Sequence, residues 1–206
     1  GLVNCDWRVS GNYRSQWGSV NSTPYVTGTF SYDMAVLKGK LNGDALGIGV
    51  LGLYDKSGTG ALQNITAGLS LDYHKRLSQD EEKPQNLSIG IQGSLVQKSI
   101  DFNKLKFESQ YDPTTGGTPY ASGENVGNAD LTYPDFNAGL MYSGYVTERT
   151  NMYAGLSYYH ITRPVETFLN GNHKINSRIT ASLGGSFQMN EKLVTYLSGM
   201  YQQQGK

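Results

Sequence analysis

A period of two governs this sequence from its first residues. In "DWRVSGNYRSQW", Trp7, Val9, Gly11, Tyr13, Ser15 and Trp17 share one parity, while Arg8, Ser10, Asn12, Arg14 and Gln16 share the other. Successive side chains of a strand point to opposite faces, so this segment has an apolar face with aromatics at both ends and a polar, cationic face. A helical period would scatter the same residues around a cylinder.

The scheme recurs along the chain. "YVTGTFSYDMAV" sets Val26, Gly28, Phe30, Tyr32, Met34 and Val36 against Tyr25, Thr27, Thr29, Ser31 and Asp33, and pairs with the first segment as a hairpin. "ALGIGVLGLYD" places Leu46, Ile48, Val50 and Tyr54 opposite Gly47, Gly49 and Leu51. "NITAGLSLDYH" is the clearest case, with Ile65, Ala67, Leu69, Leu71 and Tyr73 against Asn64, Thr66, Gly68, Ser70, Asp72 and His74. "NLSIGIQGSLVQK", "DFNAGLMYSGYV", "NMYAGLSYYH", "INSRITASLGGSF" and "KLVTYLSGMY" repeat it. That makes about nine segments of about ten residues, the length a tilted strand needs to cross a bilayer.

Composition agrees with an all-β chain. Of 206 residues, Gly contributes 26 and Tyr 15, and Gly at this density argues against helices. Lys and Arg balance Asp and Glu at 17 each, and no basic block stands out, so nucleic acid is not an expected partner. The single cysteine, Cys5, excludes an intramolecular disulfide and reads as a plain cysteine at a strand start. No apolar run is long enough for a membrane-spanning helix, which excludes helical membrane proteins only.

The connections sort by length. "TERT" and "MNEK" are tight turns, whereas residues 99–134 and 161–174 form long loops. Short turns at one end and long loops at the other is the asymmetry of an outer-membrane barrel, periplasmic on one side and extracellular on the other. In a soluble barrel or sandwich the apolar parity fills a core and the opposite face carries abundant Lys and Glu. Here the polar parity is mostly Ser, Thr, Asn, Gln and Gly. The expected fold is therefore an antiparallel transmembrane outer-membrane β-barrel, with the apolar parity toward lipid.

Four ordered blocks carry a family resemblance: "DWRVSGNYRSQW…PYVTGTFSYD", "QKSIDFNKLKFESQYD", "YPDFNAGLMY" and "YAGLSYYHITRPVETFL". Together they resemble the PorP/SprF family, outer-membrane proteins of the type IX secretion and gliding motility system of Bacteroidota. The resemblance implies a single β-barrel domain over residues 1–206, incomplete at both ends and part of a larger barrel. It implies a cell outer membrane location and a non-enzymatic role in anchoring, or assisting export of, a large secreted surface protein or adhesin with a C-terminal sorting domain. Other type IX components, a periplasmic peptidoglycan-associated protein and outer-membrane lipid are the further partners it implies. The rival expectation is a transporter or pore for small, possibly hydrophobic, solutes.

The residues point to binding rather than catalysis. His74, His160 and His173 are scattered without a Cys or carboxylate cluster and read as wall or loop residues, so neither metal nor cofactor is expected. There is no nucleophile elbow, and "GTG" at Gly58 to Gly60 reads as a turn, as does "QDEEKPQ". In the first long loop, "SIDFNKLKF" still alternates and is expected to extend the wall, with Asp101, Phe102, Lys104 and Tyr111 as partner-binding candidates. Its remainder offers Asp112, Glu124, Asn125, Asn128 and Asp130 as oxygen donors without regular calcium-ligand spacing. In the second loop, Arg163 precedes Pro164 and is expected to be extended, and Phe168 is expected to fold over the mouth or meet a partner. Arg8, Arg14, Asp33, Asp72, His74 and Arg178 fall on the lumen-facing parity, with Arg8 or Arg14 expected to pair with Asp33.

Overall fold

The computed structural model describes residues 6–19, 24–41, 43–58, 62–78, 80, 83–118, 120–121, 130–168 and 171–205. Cys5, Glu124, Asn125 and Asn128, Gly60 of the "GTG" turn and part of the acidic "QDEEKPQ" run lie outside them. The strands are β1 (Trp7–Gln16), β2 (Tyr25–Leu41), β3 (Asp44–Ser57), β4 (Leu62–Arg76), β5 (Gln85–Ser99), β6 (Asp130–Thr147), β7 (Thr150–Tyr159), β8 (Arg178–Asn190) and β9 (Leu193–Gln204). They form one nine-stranded antiparallel sheet in strict sequence order. The sheet is not closed: β1 and β9 are its edges. Among the described residues no helix is long and apolar enough to cross a membrane.

The faces are inverted relative to a soluble protein. Leu69 is 68% exposed and Ile89 55%, and the same apolar parity is exposed at Val9, Ile48, Val50, Leu71, Leu140, Leu156 and Leu183. Among the described residues the buried large hydrophobics are Val96 and Tyr133. Burying a leucine is worth about 2 kcal/mol in water, so a chain that leaves its apolar set outside and turns Ser, Asn, Asp and Gly to the less exposed face is built for a hydrocarbon solvent.

Because neighbouring strands are antiparallel and consecutive, the connections alternate between the two ends. The turn after β6 (residues 148–149) and that after β8 (residues 191–192) lie at one end, with the turn joining β2 to β3. The connections from β5 to β6 and from β7 to β8 leave from and return to the other end, hereafter the loop end.

Two expectations are corrected here. Residues after Ser99 do not extend the wall: Phe102–Lys104 and Glu108–Gln110 are short 3-10 turns. The Asp101 carboxylate accepts from the Asn103 amide, a local bond that competes with extended backbone despite the alternation. Conversely, Pro134 lies inside β6, opposite Leu95. β7 pairs with β6 only from Ala138 onward, so the flank holding Pro134 is paired on one side, where a missing N–H does no harm.

Some strand glycines are set against neighbouring backbone. A Cβ on Gly185 would meet the Asn151 carbonyl oxygen at 2.6 Å, whereas one on Gly199 would meet nothing within 4 Å. Gly185→Ala should therefore cost about 1–3 kcal/mol, as overpacking does, and Gly199→Ala should be near neutral. Denaturant midpoints of the two variants folded in the same lipid check this.

Candidate functional site

The polar face carries a series of cross-strand pairs set by register. Arg8 lies opposite Asp33, and its Nε and Nη2 donate to Oδ2 at 3.0 and 2.7 Å. Register selects Arg8, since Arg14 lies opposite Thr27. On β4 the Asp72 carboxylate contacts His74 Nε2, and His74 Nδ1 meets Ser88 Oγ at 2.6 Å across to β5. Asn137 donates to Gln92 Oε1 at 3.4 Å, and the Arg178 guanidinium stacks 4.2 Å from the Tyr159 ring centre. Between these pairs lies a groove lined by Ser70, Asp72, Gln92, Asn137, Ser157 and Tyr159. Hydroxyl, amide and carboxylate groups thus line the groove.

At the loop end the predicted residues are separated. Lys104 Nζ pairs with Asp101 Oδ2 at 3.1 Å inside the first 3-10 turn, and both are exposed, so the pair organises the turn and contributes little stability. The hydrogen bond from Lys104 leads the causes that hold the Asp101 carboxyl below its usual range. Tyr111 is exposed, and Phe168 is half-buried. Arg163 is not extended: its φ is 47°, and its Nη2 reaches Asn176 Oδ1 at 3.3 Å. The preceding turn, in which the Arg163 amide donates to the His160 carbonyl at 3.0 Å, overrides the bias that Pro164 imposes. The Pro164 carbonyl in turn accepts from the Ile175 amide at 2.9 Å.

Asp112 is buried in its own turn. Its carboxylate accepts from the Thr114 amide at 2.9 Å, the Thr114 hydroxyl at 2.6 Å and the Thr115 hydroxyl at 3.0 Å, so its oxygens serve the turn rather than a metal. Asp130 lies on β6 opposite Ser99, and among the described residues no three His, Cys, Asp or Glu groups converge as a metal site. The Thr114 hydroxyl, then the Thr114 amide, hold the Asp112 carboxyl below the usual range. A lowered folded value means the turn gains stability above the ordinary aspartate range and loses it as pH falls through the lowered value. Exchange protection of the Gly116 amide, which donates to the Asp112 carbonyl at 2.8 Å, should fall in acid in the parent and show a flatter profile in Asp112→Asn.

One cluster was not anticipated. Lys98, Tyr133, Asp135, His160 and Glu166 meet beneath the second long loop. Glu166 pairs with Lys98 Nζ and accepts from the Tyr133 hydroxyl at 3.1 Å. His160 Nδ1 lies 3.0 Å from Asp135 Oδ2, and the His160 amide donates to Asn137 Oδ1 at 3.1 Å. A signal existed for three of these: Tyr133 and Asp135 share parity with Asn137, and Lys98 continues the polar parity of β5. Nothing in the sequence placed Glu166 against them.

A sequence model described as "Type IX secretion system membrane protein PorP/SprF" matches residues 3–206, nearly the whole chain. The chain belongs to the PorP/SprF family. No match was found among curated proteins or among solved structures. The nine-stranded, helix-free sheet with its apolar parity outward agrees with a PorP/SprF membrane protein that crosses with strands. PorP/SprF membership makes the protein a membrane component of type IX secretion and identifies no enzymatic activity.

Proposed function

We propose that the chain is a non-enzymatic outer-membrane component of type IX secretion that anchors, or assists export of, a large secreted surface protein at its loop end. The observation that carries this reading is the segregation of both long loops, 100–129 and 160–177, to one end of a sheet whose other end has two-residue turns after β6 and β8. In an outer-membrane orientation the loop end is extracellular and meets an adhesin or its C-terminal sorting domain. The turn end then faces the periplasm, where other type IX components and a peptidoglycan-associated protein dock. The proposal includes further strands between the free edges of β1 and β9, because unpaired strand edges do not stand in hydrocarbon. Within it, Arg8, Arg14, Asp33, Asp72, His74 and Arg178 line the lumen, and Tyr111, Arg163, Pro164 and Phe168 belong to the binding loops with Asp101, Phe102 and Lys104.

A second reading, a pore or transporter for small solutes, is favoured by the groove around Asp72, Gln92, Asn137 and Tyr159. Purification under mild detergent separates the two. Retention of one large exported surface protein supports the first, whereas an empty protein that conducts solutes in planar bilayers supports the second.

A further inference from the structure

Two described arms of the second long loop, residues 164–168 and 171–175, lie antiparallel as a finger. Val165 bridges Lys174, the Glu166 amide donates to the His173 carbonyl at 2.8 Å, and the Ile175 amide donates to Pro164 at 2.9 Å. It occupies the flank of β6 that β7 leaves uncovered, where the Ile161 amide donates to the Phe136 carbonyl at 3.0 Å. The contacts that fasten it to the wall are charged or polar: Glu166 to Lys98 and Tyr133 on one side, His160 to Asp135 and Asn137 at the root. Beside it lie some of the most buried side chains among the described residues. Asp135 is 5% exposed, Tyr133 7%, and Val96, opposite Tyr133 in register, 8%.

We propose that this finger is a lid over the loop end of the polar face, latched by the Glu166 contacts. Two carboxylates, Asp135 on β6 and Glu166 on the finger, share the cluster with one ammonium, Lys98 on β5. Arg178 on β8 is stacked on Tyr159 of β7, and Arg163 on the finger turns to Asn176. Lys174 and His173 of the finger are exposed, and the Tyr133 hydroxyl donates a hydrogen bond to Glu166. His160 Nδ1 contacts Asp135 Oδ2, while Asp135 Oδ1 has no hydrogen-bond partner among the described residues. His160 and Arg163, at φ 57° and 47°, are non-glycine residues in the left-handed region and bracket the turn on which the finger swings.

The lid holds whichever partner the loop end serves, and its test does not involve one. In the full-length protein folded in lipid bilayers, with Cys5→Ser as background, Val96→Cys is labelled with a water-soluble maleimide. Tyr120→Cys, exposed in the first loop, is the reference for reagent and thiol titration. Glu166→Gln should speed labelling at position 96 about tenfold at pH 6, the scale of a lost charge-assisted bond. The charge-swapped pair Lys98→Glu with Glu166→Lys should restore protection that either single change loses. Equal labelling of the parent and Glu166→Gln, or no rescue by the swap, overturns the latch. Each variant is scored only as heat-modifiable, folded protein, and Glu166→Asp replaces Glu166→Gln if the latter fails to fold.

Discussion

Leu69→Arg should destabilise the protein in a bilayer by about 2–4 kcal/mol, the scale measured for a cation at the midplane of a membrane barrel. Leu69 sits at the centre of β4, opposite Val50 on β3 and Gly93 on β5, with its side chain outward. Ile89→Arg should cost less, because Ile89 lies level with Tyr73, nearer the turn end, where an arginine reaches interfacial water. The same substitution in water would relieve an exposed apolar surface and cost almost nothing. Equilibrium unfolding in lipid vesicles gives both values. If both variants matched the parent, the apolar face would not be the lipid face, and the membrane orientation proposed for the chain would fall with it.

Deleting residues 114–127 should leave folding intact and remove most surface-bound partner. β5 and β6 pair along Gln85–Ser99 and Asp130–Gly144 without help from this segment, so the sheet keeps its register when the loop is shortened. The Asp112 turn loses Thr114 and Thr115, and the surface beyond it is gone. A loss of about tenfold in retained partner corresponds to about 1.4 kcal/mol of binding, a small demand for a loop of this size. The deletion is expressed in a cell exporting the cognate surface protein, and barrel level and displayed partner are measured separately. Normal display with a normal barrel level would move the binding site to the lumen, the lipid face or further strands.

Strand positions were legible because the hydrophobic pattern has the period of the structure it specifies. The nine alternating segments, from "DWRVSGNYRSQW" to "KLVTYLSGMY", became strands, and the parities became their faces. The pattern misled at Asp101–Lys106, where alternation continued but the Asp101 side chain captured the Asn103 amide and turned the chain. It understated β6, because a proline reads as a breaker unless the unpaired flank beside it is known.

Pairing of the candidate residues divides along the same line. That Arg8, Asp33, Asp72 and His74 share a face followed from parity alone, since side-chain direction along a strand is a local property. Which arginine meets Asp33 did not follow, because register is fixed by how two strands slide, and only the assembled β1–β2 hairpin set Arg8 rather than Arg14 opposite it. The fold class, the outward apolar face and the end that bears the long loops were thus determined by the sequence itself. The cluster of Lys98, Tyr133, Asp135, His160 and Glu166 was decided by tertiary structure. Its members come from β5, β6, the end of β7 and a loop, and charge and hydrogen bonding across 68 residues of chain, as between Lys98 and Glu166, carry no period that a sequence can display.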